Sequence, residues 1–183
     1  GGQWKWVSKL PRLNEWSRVI TYRQLQIAKM KNVEVHLGVG KMTADDILEY
    51  GADRVVIATG SHWRTDGLGA ETHQPIPGAD ASLPHIFTPE QVAAGKPIVG
   101  NRVLVVDGEG HFLGITLAEM MADQGKEVFY VTNMSEVADY SQFTLEIQNN
   151  KRMLNEKKIT TFRNHWPDSI EPDKDTIDYM YHN

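Results

Sequence analysis

Residues 101–132 constrain the fold more than any other stretch. Asn101-Arg102 lead into Val103-Leu104-Val105-Val106, four consecutive apolar residues that read as a buried parallel strand. The run Asp107-Gly108-Glu109-Gly110-His111-Phe112-Leu113-Gly114 follows as a glycine-rich turn, and Ile115 to Met121 continues with helical spacing. Gly125 then precedes a second strand, Glu127 to Thr132. Strand, turn, helix and strand in this order make a βαβ unit of dinucleotide-binding type. Gly108 can make the tight turn and Gly110 can let a pyrophosphate approach the backbone at a helix N-terminus. With Gly114, the spacing is GxGxxxG rather than GxGxxG, and Leu113 occupies the usual third position. Glu109 brings a carboxylate to where phosphates would sit. Thr132 and Asn133 stand where an acid would bind the ribose. A live NAD(P) site at 107–114 and a retained fold with a weakened site are both open, and the opposing features favour the second.

Composition removes several function classes. The 183 residues carry a net charge of −5, which argues against a nucleic-acid partner. With no cysteine, disulfides, thiolate-bound metals and cysteine nucleophiles are excluded from this chain. No apolar run is long enough to predict a membrane span, and the N-terminus lacks a signal-peptide pattern, so a cytoplasmic setting is expected. The chain begins Gly1-Gly2-Gln3 without methionine and ends within an alternating apolar run, so a fragment of a longer chain is expected.

Helical spacing marks 14–31, and alternation marks a strand at 33–37. Thr43 is a predicted N-cap for a helix over 44–50, with Gly51 at its C-terminal end. Arg54-Val55-Val56-Ile57-Ala58 reads as a buried strand. The glycine- and proline-rich stretch 61–85 reads as a crossover between two domains, 1–84 and 85–183. Thr88-Pro89-Glu90-Gln91 predicts a capped helix start. A further helix is expected over 143–157, with Phe143, Ile147, Met153 and Leu154 facing inward. Strands are expected at 159–162 and 176–181.

Val55 to Ala58 runs into Thr59-Gly60-Ser61. An apolar strand ending in a turn-capable glycine is where open α/β sheets bind ligands. With Gly1-Gly2-Gln3 upstream and Pro75-Ile76-Pro77-Gly78 downstream, the tripeptide becomes part of a longer pattern. Leu10-Pro11, Glu15-Trp16, Tyr22-Arg23, Met42 to Asp46, Tyr50 to Asp53, Ile57 to Gly60, Thr65-Asp66-Gly67, Pro75 to Pro84 and Thr88 to Val92 stand in the same order as in one family. The chain resembles the C-terminal region of the trimethylamine dehydrogenase family, with its dimethylamine and histamine dehydrogenase relatives. The resemblance spans nearly the whole chain and fades after about residue 160.

The resemblance implies an α/β fold of two Rossmann-like, three-layer domains of the disulfide-reductase type, the first incomplete. It implies a flavin-dependent amine dehydrogenase whose N-terminal (β/α)8 barrel, outside this chain, holds FMN and a 4Fe–4S cluster. An electron-transferring flavoprotein and a second copy of the chain are the implied partners. ADP, or FAD in other relatives, would sit against Gly1, Gly2, Thr59 and Gly60. Gly108, Gly110 and Gly114 would mark the weakened nicotinamide turn. On this reading the chain contains no catalytic residue and is inert alone. An NAD(P)H-dependent reductase of the dienoyl-CoA reductase type is the alternative.

The seven histidines show no metal-ligand spacing. Trp4, Trp6, Trp16 and Trp63 read as a covered interdomain surface. Asp45 and Asp46 read as a helix N-terminus. Lys151, Arg152, Lys157 and Lys158 read as a solvated helix face.

Overall fold

The computed structural model describes residues 2–69, 71–171 and 177–181. The βαβ unit forms as its pattern predicts. Strand β1 (Arg102–Asp107) and strand β2 (Glu127–Thr132) pair in parallel, from Arg102 opposite Glu127 to Asp107 opposite Thr132. Strand β3 (Thr160–Arg163) extends the sheet in parallel on the other side of β2, giving the order β1-β2-β3. The architecture is therefore mixed α/β around a parallel sheet.

Three short N-terminal helices precede the sheet: α1 (Trp4–Val7), α2 (Ser17–Ile27) and α3 (Ala44–Glu49). A fourth, α4 (Pro89–Ala93), leads into it. Thr43 and Thr88 each close a reciprocal capping box, with Asp46 and Gln91 respectively, and Gly51 takes φ +70° after α3. Helix α5 (Leu113–Asp123) crosses from β1 to β2, and α6 (Ile147–Glu156) precedes β3. Ile115, Ala118 and Met121 of α5 pack with Val128 and Tyr130 of β2 and with Met153 and Leu154 of α6. The opposite side of α5 receives the N-terminal segment, where Val7, Leu10 and Leu13 meet Leu113 and Leu117. Trp4 packs at a tilt on Trp16, and Trp16 meets Phe112 edge to face, with ring centroids 4.8 and 4.7 Å apart. Trp6 packs beside them, whereas Trp63 lies in a separate cleft.

Strands β4 (His165–Ile170) and β5 (Ile177–Tyr181) form an antiparallel pair. Sequence reasoning predicted β5 and missed β4, because Pro167 argues against a strand. The ladder accommodates it at a register shift between Pro167 and Ser169.

Three expectations are corrected. Residues 33–37 and 54–58 form no strand, and Val56 and Ile57 are 88% and 79% exposed. A strand exists only when its backbone groups find a neighbouring ladder, and neither run has one among the described residues. Helix α6 begins at Ile147, not 143. Leu145 takes φ +62°, which stops helical propagation, and leaves Phe143 exposed rather than inward.

The loop 75–78 is fixed to β4, where the Ile170 N–H donates to the Pro77 carbonyl at 2.8 Å. Gly78 takes φ +80°, and a Cβ there would lie 1.9 Å from the Ile170 oxygen. Gly78→Ala should lose about 2–3 kcal/mol through backbone strain and overpacking. Chemical denaturation checks this, with faster amide exchange at Ile170 as the local sign. Wild-type values of both would refute the close approach.

Candidate functional site

The segments of the first candidate site meet in space. Gln3 Nε2 donates to the Ser61 carbonyl at 2.8 Å, joining the residue after Gly2 to the residue after Gly60. Gly2 and Gly60 take φ +60° and +78°, and the space a Cβ would fill at either is empty to 4 Å. Thr59 is exposed, and Gly1 lies outside the described residues. A cleft of about 440 Å³ opens here, lined by Gln3, Ser61, His62, Trp63, Arg64, Leu68, Gly69 and His73. Trp63, 41% exposed, lines the cleft, whereas Gly2 and Gly60 adjoin its lining residues in sequence, and neither they nor Thr59 line it themselves. Arg64 is already paired with Asp66, and its guanidinium hydrogen bonds hold that carboxyl at about 2. His62 faces Glu90 at 3.3 Å.

The glycine turn after β1 has the opposite character. Asp107 is buried, and its Oδ1 accepts hydrogen bonds from the N–H groups of Glu109 and Gly110, both at 3.1 Å. Its Oδ2 accepts the phenol proton of Tyr130, which also accepts from the Ala138 N–H. Burial and the Asp107 charge push the Tyr130 phenol far up, so it stays a donor. Glu109 folds back to accept from the Leu113 N–H, the first residue of α5, at 3.2 Å. Burial raises the Glu109 carboxyl above its ordinary value, and the nearby Asp107 charge adds to the rise.

The space at the glycines is also taken. A Cβ on Gly110 would lie 2.2 Å from Met134 Sδ and 3.2 Å from Tyr140. One on Gly114 would lie 2.7 Å from Asp107 Cγ. The ribose corner after β2 is closed as well: Thr132 is fully buried, and Asn133 Nδ2 donates to Glu71 at 2.6 Å. Gly108 and Gly110 thus fall in the turn and Gly114 in the first turn of α5, and the N–H groups of Glu109, Gly110 and Leu113 serve the chain's own carboxylates.

Sequence reasoning missed Asp107, Tyr130, Gln3 and Glu71. An acid directly after a buried strand was the available signal for Asp107. The Gln3–Ser61 and Asn133–Glu71 contacts span 58 and 62 positions and carry no local signal. Among the described residues no group of three or more His, Asp or Glu side chains could hold a metal ion. No helix among them is long and apolar enough to cross a membrane.

The model of the family described as "OYE-like second alpha/beta domain" matches residues 87–183. Dimethylamine dehydrogenase from Hyphomicrobium sp. (strain x) is 47% identical over 163 residues, which is 87% of this chain and 22% of that protein. The solved structure of 6-hydroxypseudooxynicotine amine oxidase from Pseudomonas geniculata N1 superposes with a TM-score of 0.86 at 34% identity. It is matched over 98% of this chain and 26% of its own. Histamine dehydrogenase from Rhizobium sp. 4-9 gives 0.83 at 31% identity, over 99% of this chain and 29% of its own. The chain thus spans less than a third of each of these proteins.

Proposed function

Because the chain belongs to the family of OYE-like second alpha/beta domains, we propose that it is the nucleotide-holding region of a larger flavin-dependent amine dehydrogenase. Its 47% identity to dimethylamine dehydrogenase over 163 residues supports this reading. So does one contrast in the structure: the space at Gly2 and Gly60 is open, and the space at Gly110 and Gly114 is filled. The open site takes ADP. Gly2 and Gly60 let its phosphates approach the backbone, Thr59 supplies a hydroxyl, and Trp63 borders the base. The parts fall into an adenine-nucleotide domain over 1–84 and a second Rossmann-like domain from 85 onward.

The redox groups sit elsewhere in the longer protein. This chain has no cysteine to hold a 4Fe–4S cluster, and an N-terminal barrel holds that cluster and FMN. FMN bound there would supply the two-electron redox chemistry, and the cluster a one-electron path toward an electron-transferring flavoprotein. Here the chain's residues bind and orient the adenine nucleotide. The whole protein functions as a homo-oligomer.

The spacing of Gly108 and Gly110 favours a second reading, an NAD(P)H-dependent flavin reductase with its nicotinamide site at 107–114. The carboxylates already bonded to that turn oppose it. Acid extraction of the full-length protein decides between them. Expected are close to one ADP per chain, loss of that ADP in Gly60→Val, and no flavin reduction by NADH or NADPH. Release of FAD together with rapid reduction by NADH would overturn the proposal.

A further inference from the structure

We propose that Asp107 and Glu109 act as internal anions that occupy the glycine turn in place of a pyrophosphate, and that Glu109 is the removable part of this closure. The inference deepens the reading above by naming what excludes a dinucleotide from the second domain.

A pyrophosphate in such a turn is held by free N–H groups at the start of a helix, helped by the positive end of the helix dipole. Three such donors are spoken for here. The N–H groups of Glu109 and Gly110 go to Asp107, and that of Leu113 goes to Glu109. Each carboxylate thus sits where a phosphate oxygen would receive the same bond. An incoming pyrophosphate would meet two like charges in a partly desolvated turn, where repulsion is weakly screened.

The two carboxylates differ in how firmly they are held. Asp107 is fully buried and tied to Tyr130, so it belongs to the sheet. Glu109 is half-buried, and among the described residues its carboxylate accepts one hydrogen bond, from Leu113. Met134 adds a steric part, since its sulfur fills the space above Gly110. Removing the Glu109 carboxylate and the Met134 side chain therefore frees the Leu113 donor, lowers the charge and opens the approach. Asp107 and the fold of the turn stay as they are.

The test uses the full-length protein with NADH as probe, titrated by fluorescence and located by amide exchange over 109–114. The wild type and Glu109→Gln, which keeps the bond to Leu113 and the bulk, should show no NADH-dependent protection of these amides. The Glu109→Ala/Met134→Ala protein should gain protection there and bind NADH at least about tenfold more tightly than wild type. A folded double variant with no such gain overturns the proposal, as does protection of 109–114 by NADH in the wild type. If the double variant does not accumulate, Glu109→Ala alone is titrated in the same way, and the presence or absence of the gain decides. The nucleotide extracted from unaltered protein is a separate readout. A failure here is thereby distinguished from a failure of the ADP assignment.

Discussion

Asp107→Ala should destabilise the protein by about 3–5 kcal/mol, because it strands several buried donors at once. The carboxylate is 3% exposed and accepts from two backbone N–H groups and one phenol. Tyr130 is fully buried, so its hydroxyl proton has no solvent to turn to when Asp107 is removed. Its remaining contact, from the Ala138 N–H, uses it as an acceptor. Asp107→Asn keeps the shape and can still accept from both amides, so it should cost less than half as much. Tyr130→Phe removes one bond and should cost about 1–2 kcal/mol. Chemical denaturation of the three single variants and of the Asp107→Ala/Tyr130→Phe pair measures the coupling. An additive pair with a small Asp107→Ala effect would show that the turn holds itself without this carboxylate.

Arg12→Ala should cost about 2–4 kcal/mol, even though Arg12 lies far along the chain from its partners. Arg12 Nε donates to Glu119 Oε2 at 2.6 Å, and its Nη1 donates to Asn150 Oδ1 at 3.1 Å. Asn150 in turn donates to Ser141 at 3.1 Å. The Glu119 side chain is only 10% exposed, so without Arg12 it is a buried, unpaired charge on α5. The Arg12 side chain is itself 38% exposed, and solvent screening keeps the loss below that of a fully buried pair. The adjoining apolar contacts of Val7, Leu10 and Leu13 should then loosen from α5. Thermal unfolding followed by tryptophan fluorescence reads this directly, because Trp4 and Trp16 sit in the same segment. Glu119→Gln in the same background should restore part of the loss. No recovery would mean that the unpaired charge is not its cause.

What the sequence made legible follows from which interactions are local. The βαβ unit was readable because an apolar run, a glycine turn and a helical period all lie in one continuous segment. The boxes at Thr43 and Thr88 were readable because each closes within four residues. The strands read at 33–37 and 54–58 did not form, because their ladder partners are a tertiary matter that apolar alternation cannot supply. At the candidate sites the glycines were legible as types, but their opposite situations were not. Open space at Gly60 and a sulfur against Gly110 depend on side chains contributed from elsewhere. Arg12 was equally silent, since its partners lie 107 and 138 positions away.

The run Val55-Val56-Ile57 presents its side chains to water. For a nascent polypeptide such a stretch is a period of risk, because exposed apolar side chains are a docking point for chaperones and for other unfinished copies. The yield of soluble protein in a cell would then depend on how long this exposed run stays accessible, more than on the strength of the parallel sheet.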